Sequence, residues 1–243
     1  MALGTNQVTT SVANNFIPEL WSDGIYRYFE RGTIFKNLIE DFSSMVKGAG
    51  DTVKERLQTV GLSVESIDIE TTTLAELKTY DAILVGIRAY NVIESLAYKN
   101  QLLFDYAEAG GTLVTQYNTS RGLKTKEIAP YPIELSRKRV TDEESSVRIL
   151  EPNHPAMSVP HEITATDFEG WIQERGLYFA DNWDPRFTPL LGMNDSGEEE
   201  TLGSLLIAKH GEGTVVYTGL SFFRELPDGV PGAYRILINV LSL

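Results

Sequence analysis

Two buried-strand signals set the tightest limit on what this chain can fold into. One is the nearly uninterrupted apolar run Asp81-Ala82-Ile83-Leu84-Val85-Gly86-Ile87, the other Thr112-Leu113-Val114-Thr115-Gln116-Tyr117. A strand that is apolar on consecutive residues has no side to offer water, so it belongs in a sheet covered on both faces. Between the runs lies Glu94 to Ala109, long enough for a helix and closed by Gly110-Gly111. A helix joining two such strands predicts a parallel pair with the crossover packed on one face. The rhythm extends upstream. Asp51 can cap a helix carrying Val53, Leu57 and Val60, and Gly61 can end it. Leu62 to Ile67 alternates as a strand, and Thr73 to Tyr80 reads as a short helix. The expectation is an α/β fold, a mostly parallel sheet with helices on both faces.

The second half is richer in strands and turns. Val147 to Leu150, Thr188 to Met193, Ser204 to Lys209 and Thr214 to Thr218 are expected strands. His210-Gly211-Glu212-Gly213 suits a hairpin loop between the last two. Asn194 to Glu200 is polar and acidic and reads as an exposed loop. Tyr234 to Leu243 reads as a C-terminal helix following a break at Pro231-Gly232.

The first 50 residues differ in kind. Residues 1–15 are small and polar with no useful period and read as a disordered arm. A helix is expected from Pro18 through Ile25, Tyr26, Tyr28 and Phe29, and a second from the spacing of Ile34, Phe35, Leu38, Ile39 and Phe42. Two such helices need a partner to bury their apolar faces. Charge divides at the same place. The chain has 34 acidic and 21 basic residues, a net charge of −13, of which residues 1–50 contribute only four Lys/Arg and five Asp/Glu. The expected organisation is an arm over 1–50 and an α/β domain over 51–243.

Composition excludes several chemistries. With no cysteine there is no disulfide framework, Cys-ligated metal or thiol nucleophile. The acidic balance argues against a nucleic-acid partner. No apolar run approaches a membrane span, and the N-terminus lacks the basic and apolar regions of a secretory signal. His161-Glu162-Ile163-Thr164-Ala165 begins like a zincin helix but has Ala where the second His must fall. His154, before Pro155, reads as a turn residue, and His210, beside a glycine, as solvated. Walker A, GxGxxG and GxSxG patterns are all missing. No metal and no cofactor is expected.

Two places remain as candidate sites. In parallel sheets, ligands bind beyond the C-terminal ends of the strands. Arg88, Tyr90 and Asn91 follow the first apolar run, and Gln116, Tyr117, Asn118 and Thr119 end or follow the second. The competing reading is that Arg88 and Asn118 cap helices and pair with acids. The other place is Asp167-Phe168-Glu169-Gly170-Trp171-Ile172-Gln173-Glu174-Arg175-Gly176. Glu169 or Glu174 can serve there as acid or base beside Arg175, in a pocket lined by Trp171. The alternative is a loop pinned by Trp171 with Glu174 and Arg175 in ion pairs. Phe222-Phe223-Arg224-Glu225-Leu226-Pro227 has a similar character and is expected nearby, which adds Arg224 to the ligand-binding candidates.

Four segments carry a family resemblance: Tyr80 to Asn91, Gly110 to Thr119, Phe168 to Gly176, and Tyr217-Thr218-Gly219-Leu220-Ser221 continuing to Pro227. On these, residues 51–243 resemble the C-terminal accessory domain of bacterial PIG-L/LmbE-type deacetylases. That resemblance implies a flavodoxin-like sheet of the class I glutamine amidotransferase type. It also implies a non-catalytic module binding a small polar ligand, a carbohydrate or a deacetylase domain. Amidotransferases carry a Cys on the elbow after a central strand; here that neighbourhood is Gln116-Tyr117-Asn118-Thr119, so glutaminase chemistry is not implied. Residues 1–50, on Ala2 to Ser11 and Asn14 to Asp23, resemble instead the N-terminal arm of a tailed-phage major capsid protein, which implies capsid-like subunits as partners. The seam falls at Lys47-Gly48-Ala49-Gly50-Asp51, and the expectation is a chimeric reading frame. In the accessory domain a central strand precedes this point. Here Asp41-Phe42-Ser43-Ser44-Met45-Val46 would have to supply it, a stretch that is short and poorly apolar, so the domain is expected to fall short of its own first strand. The compartment is left open.

Overall fold

A computed structural model describes residues 44–46 and 48–243 of the chain. The expected arm over residues 1–15 and the two helices expected between Pro18 and Phe42 lie outside the described residues. The first half runs β1 (Ser44–Val46), α1 (Val53–Thr59), β2 (Glu65–Ile67), α2 (Leu74–Leu77), β3 (Ala82–Val85), α3 (Ala89–Val92), α4 (Leu96–Glu108) and β4 (Thr112–Thr115). There follow β5 (Ile133–Leu135), β6 (Arg139–Val140), β7 (Val147–Ile149), α5 (Pro155–Ser158), a 3₁₀ turn (Ala165–Phe168), β8 (Gly176–Leu177) and β9 (Ala180–Trp183). The chain closes with β10 (Thr188–Pro189), β11 (Leu191–Met193), β12 (Leu205–His210), β13 (Gly213–Thr218), α6 (Phe222–Asp228) and α7 (Pro231–Leu241).

The central sheet has seven strands in the order β10-β12-β13-β4-β3-β1-β2. From β2 to β13 the pairing is parallel, and β12 and β10 add antiparallel neighbours at one edge. The parallel part is the doubly wound flavodoxin-type order. Every residue of β3 and β4 is buried, as strands covered on both faces must be. One core lies between the sheet and α1, α6 and α7, and includes Leu57, Leu84, Phe222 and Leu237. A second lies on the other face under α2 and α4, with Leu77, Ile83, Leu103 and Phe104.

The strand needed ahead of the seam is present. β1 lies between β2 and β3, with Met45 level with Ser66 on one side and Leu84 on the other. Met45 belongs to the first core and Val46 to the second, both nearly inaccessible. The sheet therefore begins before residue 51.

Two expectations are corrected in detail. Thr188 to Met193 is not one strand: β10 joins the central sheet, while β11 pairs with β7. The chain changes partners at Leu190, whose N–H donates to Leu205 and whose carbonyl accepts from Leu150. Pro231-Gly232 is not a break before the last helix but its first turn. A proline at this position gives up an N–H that would have no helical partner anyway.

The loops after β1 and β3 cross at close range. Gly86 N–H donates to Val46 O at 2.9 Å, and Ala49 N–H to Ile87 O at 2.8 Å. A Cβ on Gly48 would stand 1.9 Å from the Ile87 carbonyl oxygen. Asp51 closes the same junction, accepting from Val53 N–H at 3.1 Å and from Ile87 N–H at 3.4 Å. This is where the strand order reverses, the usual ligand crevice of such sheets; here it is filled by the chain's own backbone and a carboxylate. Burial, the largest influence, raises the Asp51 pKa. Gly48→Ala is expected to destabilise the protein by about 2 kcal/mol or more, since the clash is with backbone on both sides. A urea midpoint equal to the parent's would contradict this packing.

Candidate functional site

With the β1/β3 crevice closed, the open ground lies beyond the ends of β3, β4 and β13. The β3 loop delivers Arg88, exposed, with a left-handed φ of 56°. Its N–H donates to Tyr117 O at 2.8 Å, joining the β3 and β4 ends. The Tyr117 ring stacks on Tyr178 at 6.0 Å and 9° and meets Phe223 at 5.1 Å. Ile87 and Leu177 complete this small apolar cluster.

Tyr178 comes from the turn between β8 and β9. Leu177 N–H donates to Gly219 O at 2.8 Å, and the Tyr217 hydroxyl donates to Tyr178 O at 2.6 Å. The approach depends on small residues, because a Cβ on Gly176 would lie 2.3 Å from Gly219 O. Arginines flank the rings. Arg139 of β6 lies 5.8 Å from the Tyr178 ring centre, and Arg224 of α6 lies 4.9 Å from that of Phe223. Arg224 Nε also pairs with Glu174 at 2.9 Å, and its Nη1 donates to Gln173 Oε1.

Among the described residues, the non-glycine residues with positive φ are Arg88, Gln173 and Tyr178. All three border this shelf. Left-handed backbone costs an L-residue about 1–2 kcal/mol, and such strain gathers where surrounding structure fixes a functional geometry.

The sequence-derived candidates divide between shelf and scaffold. Arg88, Glu174 and Arg224 are on the shelf. Tyr90 is fully buried in the second core, and its N–H donates to Asn118 Oδ1 at 2.9 Å. Asn91 donates to the carbonyls of Thr119 and Arg121 and accepts from Thr119 N–H. Asn91 and Asn118 thus tie the β3 and β4 loops together, and Asn118 acts as the cap that the competing reading described. Gln116 is 1% exposed, and neither of its amide atoms has a hydrogen-bond partner among the described residues.

Trp171 and Arg175 are also scaffold. The Trp171 indole donates to Asp167 O at 2.9 Å. Arg175 is buried, donates through Nε and Nη2 to Ser145 O and through Nη1 to Phe168 O, and lies about 6 Å from the Phe168 and Trp171 ring centres. This is the pinned loop of the alternative reading, except that Arg175 is held by carbonyls and rings. Glu169 is exposed.

Sequence reasoning missed Tyr178, Arg139 and Glu225. Glu225 is fully buried at the start of α6, accepting from Ile172 N–H at 3.0 Å and from the Ser221 hydroxyl at 3.2 Å. It anchors the segment that presents Gln173 and Glu174. Burial pushes its pKa up to about 7. The spacing Ser221 to Glu225 was visible; its partner half a hundred residues upstream was not.

The histidines take structural posts. His154 caps α5, its Nδ1 accepting from Ala156 N–H at 3.1 Å. His210 is half-buried rather than solvated, with Nδ1 3.0 Å from the Tyr131 hydroxyl and its ring edge-on to that tyrosine. Among the described residues there is no group of His, Asp or Glu placed to hold a metal ion. Residues 116–119 carry no positive φ, so the β4 end lacks the strained turn that exposes a nucleophile. A separate cleft of about 1090 Å³ lies between α4 and the β5–β9 ribbon, where Phe104, Pro130, Glu134, Asn182, Trp183 and His210 line it. None of the predicted site residues reaches it.

No protein-family model and no curated protein matches the chain. Solved structures do. A cytoplasmic protein from Salmonella typhimurium is similar with a TM-score of 0.54 and 13% identity, over 82% of this chain and 97% of that one. A second Salmonella typhimurium cytoplasmic protein gives 0.50 and 13% over 82% and 98%. A ThuA-like protein from Bacteroides uniformis gives 0.50 and 12% over 82% and 89%. At these identities the likeness establishes the fold: a mixed α/β domain built on a mostly parallel sheet.

Two outcomes test the scaffold. Folding raises the Glu225 pKa above the 4.5 of an ordinary glutamate, so its contribution to stability is full below about pH 4.5 and is lost as pH rises through about 7. Glu225→Gln is expected to flatten the stability profile between about pH 5 and 8 by on the order of 2–3 kcal/mol, measured by urea unfolding; an unchanged profile contradicts the assignment. Gln116→Met removes an unpartnered buried amide at similar volume and is expected to leave the thermal midpoint unchanged or raised. A drop of several degrees would mean the amide has a partner.

Proposed function

We propose that this chain is a non-catalytic, amidotransferase-like binding module that takes a small polar ligand on the shelf formed by Arg88, Tyr117, Tyr178, Phe223 and Arg224. The observation that carries this reading is the gathering of the three left-handed residues around one aromatic and guanidinium surface at the strand ends. Such a surface offers flat apolar area and directed donors, the two requirements of small-ligand recognition. It offers no activated nucleophile. The resemblance of residues 51–243 to the accessory domain of PIG-L/LmbE-type deacetylases supports a deacetylase domain as partner and a carbohydrate as one candidate ligand. The class I amidotransferase ancestry of the fold belongs to the same reading.

A hydrolytic role is the second reading, favoured by the position of Glu174 on the shelf. Its engagement by Arg224 weighs against it, because an acid or base must be free to reach a substrate proton. The resemblance of residues 1–50 to a capsid arm supports a third proposal, a virion component, for which particles seen by electron microscopy are the test.

Ligand-observed NMR against a panel of mono- and disaccharides and small polar metabolites tests the binding reading. Tyr178→Ala is expected to weaken any hit at least tenfold, since it removes the stack on Tyr117. A hit that survives Tyr178→Ala and Arg224→Ala unchanged would move the site elsewhere. A hydrolytic activity lost in Glu174→Gln would replace the binding reading with the second.

A further inference from the structure

The hydrogen-bonding inventory of the shelf is one-sided. Among the described residues, the guanidiniums of Arg88 and Arg139 are in no ion pair or hydrogen bond, and the hydroxyls of Tyr117 and Tyr178 have no partner. The Gln173 amide uses its oxygen on Arg224, which leaves its NH₂ to donate. Glu174, the carboxylate among these groups, has an oxygen engaged by Arg224. Guanidinium groups only donate, and a phenol beside them does so readily. What is left over from four chain segments is therefore weighted toward donors: two guanidiniums and an amide NH₂, beside two phenols that both donate and accept.

Charge agrees with this count. Arg88, Arg139 and Arg224 stand against Glu174 around the Tyr117–Tyr178 pair, with Asp51 behind them on the N–H of Ile87, on a chain whose net charge is −13. A positive island on an acidic protein is a local field that concentrates anions where the rest of the surface repels them. The guanidinium fork matches the paired oxygens of a carboxylate or phosphate, and the tyrosine rings supply a flat face beside it.

Resting on the binding reading above, we infer that the ligand is a small organic oxyanion, a carboxylate or phosphate attached to a flat ring, with its charge held between Arg88 and Arg139. A neutral polyol brings as many donors as acceptors and leaves the shelf's donors competing with its own.

The test uses matched probes that differ in charge. The full chain is titrated with 4-hydroxybenzoate against 4-hydroxybenzamide, and with phenyl phosphate against phenol, followed by NMR shifts of labelled tyrosine and arginine side chains. At least one acid is expected to bind tenfold or more tightly than its neutral partner, with shifts at Tyr117 and Tyr178. Arg88→Ala and Arg139→Ala are each expected to weaken it at least fivefold, and 0.5 M NaCl to weaken it further. Both arginines are exposed, so their truncation leaves the core intact; Arg139→Lys is expected to retain part of the affinity. The carboxylate and phosphate arms identify which oxyanion is preferred. Equal binding of charged and neutral partners with shifts at Tyr117 and Tyr178 overturns the oxyanion inference and leaves the shelf as the site. Binding whose shifts avoid these tyrosines, or binding unaffected by both alanine variants, overturns the shelf itself. No binding of any probe at 10 mM overturns the inference.

Discussion

The three residues of β1 hold this molecule together. They pair in parallel with β2 on one side and β3 on the other, so the sheet is continuous only because they are there. Met45 and Val46 send side chains into opposite cores, and each core meets the sheet along this line. The contact is reinforced where the β1 and β3 loops cross, with glycine at Gly48 and Gly86 allowing backbone to lie on backbone. A strand so short carries little propensity of its own. Its position is imposed by neighbours that are already apolar and already parallel.

That crossing also decides where function can reside. In a sheet of this order the reversal between β1 and β3 is the natural opening for a ligand. Asp51 and the Gly48 backbone occupy it. The exposed surface shifts toward β4 and β13, and the segment from Arg139 to Tyr178 folds over those strand ends to supply half of the shelf. The long excursion between β4 and β12 is therefore what makes the candidate site, even though all its strands except β10 pair only as two-stranded ribbons.

What was legible in the sequence follows from range of interaction. β3, β4 and α4 were plain because their burial is written in consecutive residues. The Asp51 turn leading into α1, one residue outside its N-cap, and Gly61 just after the helix were plain because such end signals are local. Arg88 and Arg224 were found because strand ends and aromatic–arginine runs are local patterns too. Tyr178 and Arg139 were not, since nothing near either residue in sequence says that a turn and a two-residue strand will meet Tyr117. Trp171 and Arg175 looked like pocket residues because an aromatic and a charge near glycines have the same appearance whether they face a ligand or a core. Their partners, the carbonyls of Ser145, Phe168 and Asp167, leave no mark in side-chain chemistry. β1 was expected to be missing because its residues are few and poorly apolar, and it forms nonetheless because β2 and β3 pair with it on both sides.

The outer strands of the sheet have one more consequence. β2 is three residues long with Glu65 and Ser66 exposed, and β10 is two residues long and ends in Pro189. Short, charged or proline-bearing edges offer a poor template for another chain's backbone. A strand arriving from outside would find few free N–H and C=O groups in register and a carboxylate in its way. The two edges are therefore built against extension of the sheet by another chain's backbone.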